Sequence, residues 1–69
     1  MLRLKLWREQ AGLTQREAAA RLGIGESTYG FLESGRMQPS RAQLLRLARS
    51  FTDPARLFEP VREKIESKL

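Results

Sequence analysis

Between Gly12 and Ser40 the chain reads GLTQREAAARLGIGESTYGFLESGRMQPS, and three glycines at positions 12, 23 and 35 cut this stretch into two pieces of about three turns each. Glycine is the residue that adopts left-handed backbone angles without steric cost, so each one marks a stop where a helix turns over. The first piece also carries its own start signal. Thr14 and Glu17 form a T-x-x-E capping box, in which the hydroxyl takes an N–H at the third helical position and the glutamate reaches back to the cap. Ala18, Ala19 and Leu22 supply a small apolar face, and Ile24 plugs the core from within the turn. The second piece, Glu26 to Ser34, turns Tyr29 and Leu32 inward at i, i+3 spacing. A chain with these constraints folds as two short helices crossing at a tight glycine turn, with the outer face of the second left free.

The flanking segments read as further helices. Leu2, Leu4 and Leu6 alternate with basic residues as a strand would, but Leu4, Trp7 and Ala11 fit a helix that ends at Gly12, and no partner strand is evident. Ser40 and Gln43 make a second capping box, opening a helix expected to bury Leu44, Leu45, Leu47, Ala48 and Phe51. Asp53-Pro54 reads as a cap followed by proline at the first helical position, which predicts a short fifth helix carrying Leu57 and Phe58. Glu59-Pro60 breaks the chain. Val61, Ile65 and Leu69 then lie four residues apart on one stripe of a last charged helix, expected to pack on the domain or form a dimer seam. The prediction is an all-α fold, a compact bundle of five short helices over residues 1–58 with a helical extension over 59–69.

Size and charge narrow the function. A 69-residue chain has room for one small domain with a thin core. Its formal charge is +5, and the excess lies in residues 1–51, which carry nine Arg/Lys against four Asp/Glu, while 52–69 carry four of each. A basic surface of this kind suits a polyanion. There is no cysteine or histidine, no paired carboxylates in a recognisable context and no phosphate-binding glycine loop, so the reading is not an enzyme and has no metal or cofactor. No apolar run approaches membrane-spanning length and the N-terminus does not read as a signal peptide, which places the chain in the cytoplasm with no membrane partner.

The set Arg8, Gly12-Leu13-Thr14-Gln15, Ala19, Gly23, Tyr29, Leu32-Glu33, Gly35, Pro39 and the leucine-rich fourth helix resembles the phage repressor/Cro-like helix-turn-helix family over residues 4–58. The resemblance implies a DNA-binding regulator, most simply a repressor acting as a homodimer on double-stranded DNA. It implies that Gln15 meets a backbone phosphate or base edge, and that Glu26, Ser27, Thr28 and Phe31 face the major groove. Arg16 and Arg36, with Arg41 as a weaker candidate, become the phosphate neutralisers. It also implies an ion pair between Arg8 and Glu33. The recognition segment departs from the family pattern, having Gly25 in place of a hydroxyl cap, Gly30 within the helix, an outward Phe31, and no Arg, Lys, Asn or Gln. These departures support an alternative, a protein-interaction module using Phe31, Tyr29 and the surface near Gly30 to bind polymerase, a toxin or a partner regulator.

Overall fold

The computed structural model describes residues 1–61; the expected stripe residues Ile65 and Leu69 lie outside them. Among the described residues four α-helices run in order: α1 over Arg3–Gln10, α2 over Gln15–Leu22, α3 over Glu26–Ser34 and α4 over Arg41–Leu47. A 3-10 helix follows over Pro54–Phe58.

Local chemistry accounts for the boundaries. Thr14 accepts the Glu17 N–H at 3.0 Å, and the Glu17 carboxylate accepts the Thr14 N–H at 2.8 Å. Ser40 and Gln43 repeat the arrangement at the start of α4 with bonds of 3.1 and 2.8 Å. At the other end of α2, Gly23 sits at φ 73°, and the Ile24 N–H folds back to the Ala19 carbonyl at 3.0 Å. That bond closes the end of the helix and swings the chain sharply into α3.

The core is Leu4, Ala18, Ala19, Leu22, Tyr29, Leu32, Leu47 and Leu57, with Trp7, Leu13, Ile24, Phe51 and Phe58 packed against it. α2 and α3 pack on each other, while α1 and α4 are both held through the 3-10 segment. Ala19 is buried to 2% exposure, so the approach of α2 to its neighbours has no space for a larger side chain. Trp7 and Phe51 meet edge to face at 5.3 Å between ring centroids, which closes α1 over the segment after α4.

Two expectations need correction. The fifth helix is five residues of 3-10 rather than an α-helix, and Asp53 makes no side-chain cap bond. Five residues ending just before Glu59-Pro60 are too few to sustain an i→i+4 ladder. On α4, Leu47 is buried and Leu44 half-buried, but Leu45 is 65% exposed and Ala48 is exposed too. The helix turns one leucine face inward, and the adjacent leucine necessarily points away. Leu4 and Leu6 of the alternating N-terminal leucines lie in α1 as expected, and just ahead of it an isolated antiparallel bridge joins Leu2 to Pro60. Arg3 N–H donates to Glu59 O at 3.0 Å and Val61 N–H to Met1 O at 2.8 Å. The half-buried Val61 is thus tied by its backbone to the start of the chain.

Candidate nucleic-acid interface

The candidate site is built around one buried carboxylate. Glu33, on the inner side of α3, is 5% exposed. It accepts from Arg8 Nε at 2.7 Å and Nη2 at 3.3 Å, from Tyr29 Oη at 2.8 Å and from Gln15 Nε2 at 2.8 Å. Arg8 Nη1 continues to the Leu13 carbonyl at 2.9 Å. A charge buried this deeply is tolerable only when its lone pairs are met, and here both oxygens accept two bonds. The network links α1, the start of α2 and α3, so it fixes how the exposed face of α3 sits relative to the rest of the domain.

Its electrostatics follow from the same contacts. Burial pushes the Glu33 carboxyl up, but hydrogen bonds from Arg8, Gln15 and Tyr29 and the Arg8 charge outweigh it and hold the group below the ordinary carboxylate range. Burial, and then the bond to Glu33, pushes the Tyr29 hydroxyl well above the usual phenol range. The hydrogen bond to Glu33 likewise raises the Arg8 guanidinium, which stays charged.

On the outer side, Gln15, Ser27, Gly30, Phe31, Ser34 and Arg36 surround a shallow hollow of about 370 Å³. Phe31 is 43% exposed at its edge. Arg36 is held there by the end of α3, its N–H bonded to the Phe31 carbonyl at 3.0 Å. Gln15 joins the hollow to the buried network. Its amide nitrogen is turned inward to Glu33, leaving the carbonyl oxygen and one N–H for an outside partner. A second hollow of about 420 Å³ adjoins it, sharing Gln15 and Ser34 and adding Lys5, Gly35 and the hydrogen-bonded Glu33 among others.

The sequence-derived candidates therefore divide. Gln15, Ser27, Phe31 and Arg36 are gathered round one hollow. Arg16, Glu26 and Arg41 are exposed but line neither hollow, and Thr28 is half-buried. Tyr29, offered as part of a protein-contact surface, is fully buried with its hydroxyl committed to Glu33, so it presents nothing to a partner. Lys5 was missed. Its only sequence signal is its place one helical turn before Arg8, on the side of α1 that faces the network.

Gly30 shapes the hollow. A Cβ added there would meet the nearest atom, the Gln15 carbonyl oxygen, at 3.8 Å, an ordinary contact. Gly30→Ala is therefore expected to stabilise the domain by roughly 0.5–1 kcal/mol through helix propensity alone, raising the melting temperature by a few degrees. A lower melting temperature in a calorimetric scan would show that the site is tighter than this geometry.

The model of a helix-turn-helix family of the Cro/C1 type matches residues 4–52, from the second residue of α1 to beyond the end of α4. The chain belongs to this helix-turn-helix family. It is similar to two proteins of Archaeoglobus fulgidus, each described as an uncharacterized HTH-type transcriptional regulator. One is 37% identical over 49 residues, covering 71% of this chain and 70% of the relative. The other is 39% identical over 49 residues, covering 71% and 69%. No solved structure matches the chain. In the helix-turn-helix frame, α2 and α3 are the two helices of the motif, Gly23 is its turn and the Phe31 face of α3 is the outward surface. No helix among the described residues is long and apolar enough to cross a membrane.

Proposed function

We propose that this helix-turn-helix chain is a DNA-binding transcriptional repressor that inserts α3 into the major groove. The observation that carries the reading is the hollow on the outer face of α3, lined by both Gln15 and Arg36. A recognition helix needs phosphate ligands at its flanks to fix its depth and register, and the remaining Gln15 amide N–H and the Arg36 guanidinium supply them. Lys5, beside Gln15 in the adjoining hollow, extends the same track. Ser27 and Phe31 then face the base edges, Phe31 offering apolar contact to a thymine methyl. With so few hydrogen-bonding groups on α3, each half-site is read weakly. A homodimer spanning two successive major grooves, about 34 Å apart, supplies the missing specificity and blocks a promoter by occupying it. The regulator description borne by both archaeal relatives accords with this role.

The face is tested by substitution. Arg36→Ala is expected to lower DNA affinity and to reduce the slope of log affinity against log salt by about 1, the loss of one phosphate contact. Gln15→Ala is expected to weaken binding by roughly fivefold, about one hydrogen bond. Both variants should keep the helical circular-dichroism spectrum. Unchanged binding in both would remove this docking and leave the Phe31 surface to a protein partner.

A further inference from the structure

The outward Leu45 is one member of a stripe. Ala42, Leu45, Arg46 and Arg49 recur at i, i+3, i+4 and i+7 along α4 and the turn that continues it, and together they line a shallow hollow of about 340 Å³. The helical course persists beyond α4 through bonds from Arg49 N–H to Arg46 O at 3.3 Å and from Ser50 N–H to Leu47 O at 2.9 Å. A smaller hollow of about 200 Å³ adjoins it over the turn of the motif, sharing Arg46 and Arg49 and adding Arg21 and Gly23. Arg46 is pinned between the two by a 2.7 Å bond from Nη1 to the Gly23 carbonyl. Among the described residues no carboxylate lines either hollow.

A single exposed leucine needs no explanation. A leucine set in an i, i+3, i+4, i+7 row, bordered by three arginines with no lining carboxylate, presents the features that a groove-bound helix reads in its partner. We infer that this face of α4 docks an acidic amphipathic helix of another protein, with Leu45 as the apolar anchor and Arg21, Arg46 and Arg49 meeting its carboxylates. A second copy of this chain fits poorly, because a two-fold contact would set Arg46 and Arg49 against their own counterparts. A DNA backbone would meet the arginines but leave Leu45 and Ala42 desolvated against phosphate without gain. The stripe shares no residue with the hollow on α3, so a partner seated here leaves the proposed DNA face open. The inference does not depend on the DNA reading.

The test is an NMR titration of the full, isotopically labelled chain with three probes. The first is a synthetic helical peptide with leucines at i, i+3, i+4 and i+7 and glutamates elsewhere. The second is the same peptide with serine for leucine, and the third is a short DNA duplex of arbitrary sequence. The leucine peptide is expected to shift the amides of Arg21, Ala42, Leu45, Arg46 and Arg49, and the serine peptide to leave them in place at 150 mM salt. Leu45→Ser should weaken the leucine peptide by about tenfold, since a buried leucine is worth roughly that factor or more. Arg49→Gln, which spares the pinned Arg46, should weaken it and flatten its salt dependence. Leu45 is exposed, so the fold should be unaffected; a changed reference spectrum would move the test to Leu45→Ala. The inference is overturned if both peptides act alike, if the shifts centre on Phe31 and Arg36, if only the duplex moves the α4 amides, or if those amides move with protein concentration alone.

Discussion

Glu33→Ala is expected to destabilise the domain by about 3–5 kcal/mol, because it leaves a largely buried guanidinium without its counter-charge. The Arg8 side chain is 15% exposed, and the same substitution strands the Tyr29 hydroxyl inside the core. A domain of this length has a total stability of roughly 3–10 kcal/mol, so the variant should be partly or wholly unfolded at 37 °C. Glu33→Gln keeps an acceptor and should lose less. The pH dependence has a definite sign. Because the folded-state carboxyl lies below its ordinary value, its stabilisation is fully present above the unfolded pKa of about 4.3 and is lost as pH falls through the folded value. Glu17, held low by the Thr14 N–H and then the Thr14 hydroxyl, titrates in the same direction at the surface. Urea unfolding between pH 7 and pH 3 should show stability falling with acid in the wild type, and a shallower fall in Glu33→Gln. If Glu33→Ala matched the wild type within about 0.5 kcal/mol and kept the same acid slope, the network would not be what holds α3 in place.

Leu32→Ala should be nearly as damaging, at about 2–5 kcal/mol, since Leu32 is fully buried and its loss opens a cavity that the short helices can close only in part. Phe31, its neighbour, is the informative contrast. It is 43% exposed on the outward side of α3, and Phe31→Ala should change stability by less than about 1 kcal/mol. Denaturant midpoints for the two variants thus measure which side of α3 faces the core. Equal losses would mean that α3 is rotated relative to this account, and that Phe31 is a packing residue rather than part of an outward surface.

What the sequence made legible was what is encoded within one turn of chain. Thr14 with Glu17 and Ser40 with Gln43 announce two helix starts because both partners of each bond lie three residues apart. Gly23 announces the turn because no other residue accepts its backbone angles so readily. The orientation of α4 was not legible. Leu44-Leu45-Arg46-Leu47 offers two apolar faces, and only packing against the rest of the domain selects the one containing Leu47. The bridge between Leu2 and Pro60 joins distant backbone groups without any side-chain signature. At the site, an Arg8–Glu33 pair was implied by family resemblance, and the two side chains do meet. That Tyr29 and Gln15 converge on the same carboxylate depends on how α2 crosses α3, which spacing along the chain does not specify. The inward turn of the Gln15 amide has the same origin, and it changes what that residue offers to a ligand.

The central claim is that the outer face of α3 binds DNA with a sequence preference. It is tested most directly by titrating the purified chain with the DNA upstream of its own gene and with a scrambled fragment of equal length, across a salt series. The account predicts tighter binding to the upstream fragment and a log–log salt slope of several units, as several phosphates are neutralised. Equal, weak binding to both fragments at every salt concentration would contradict it.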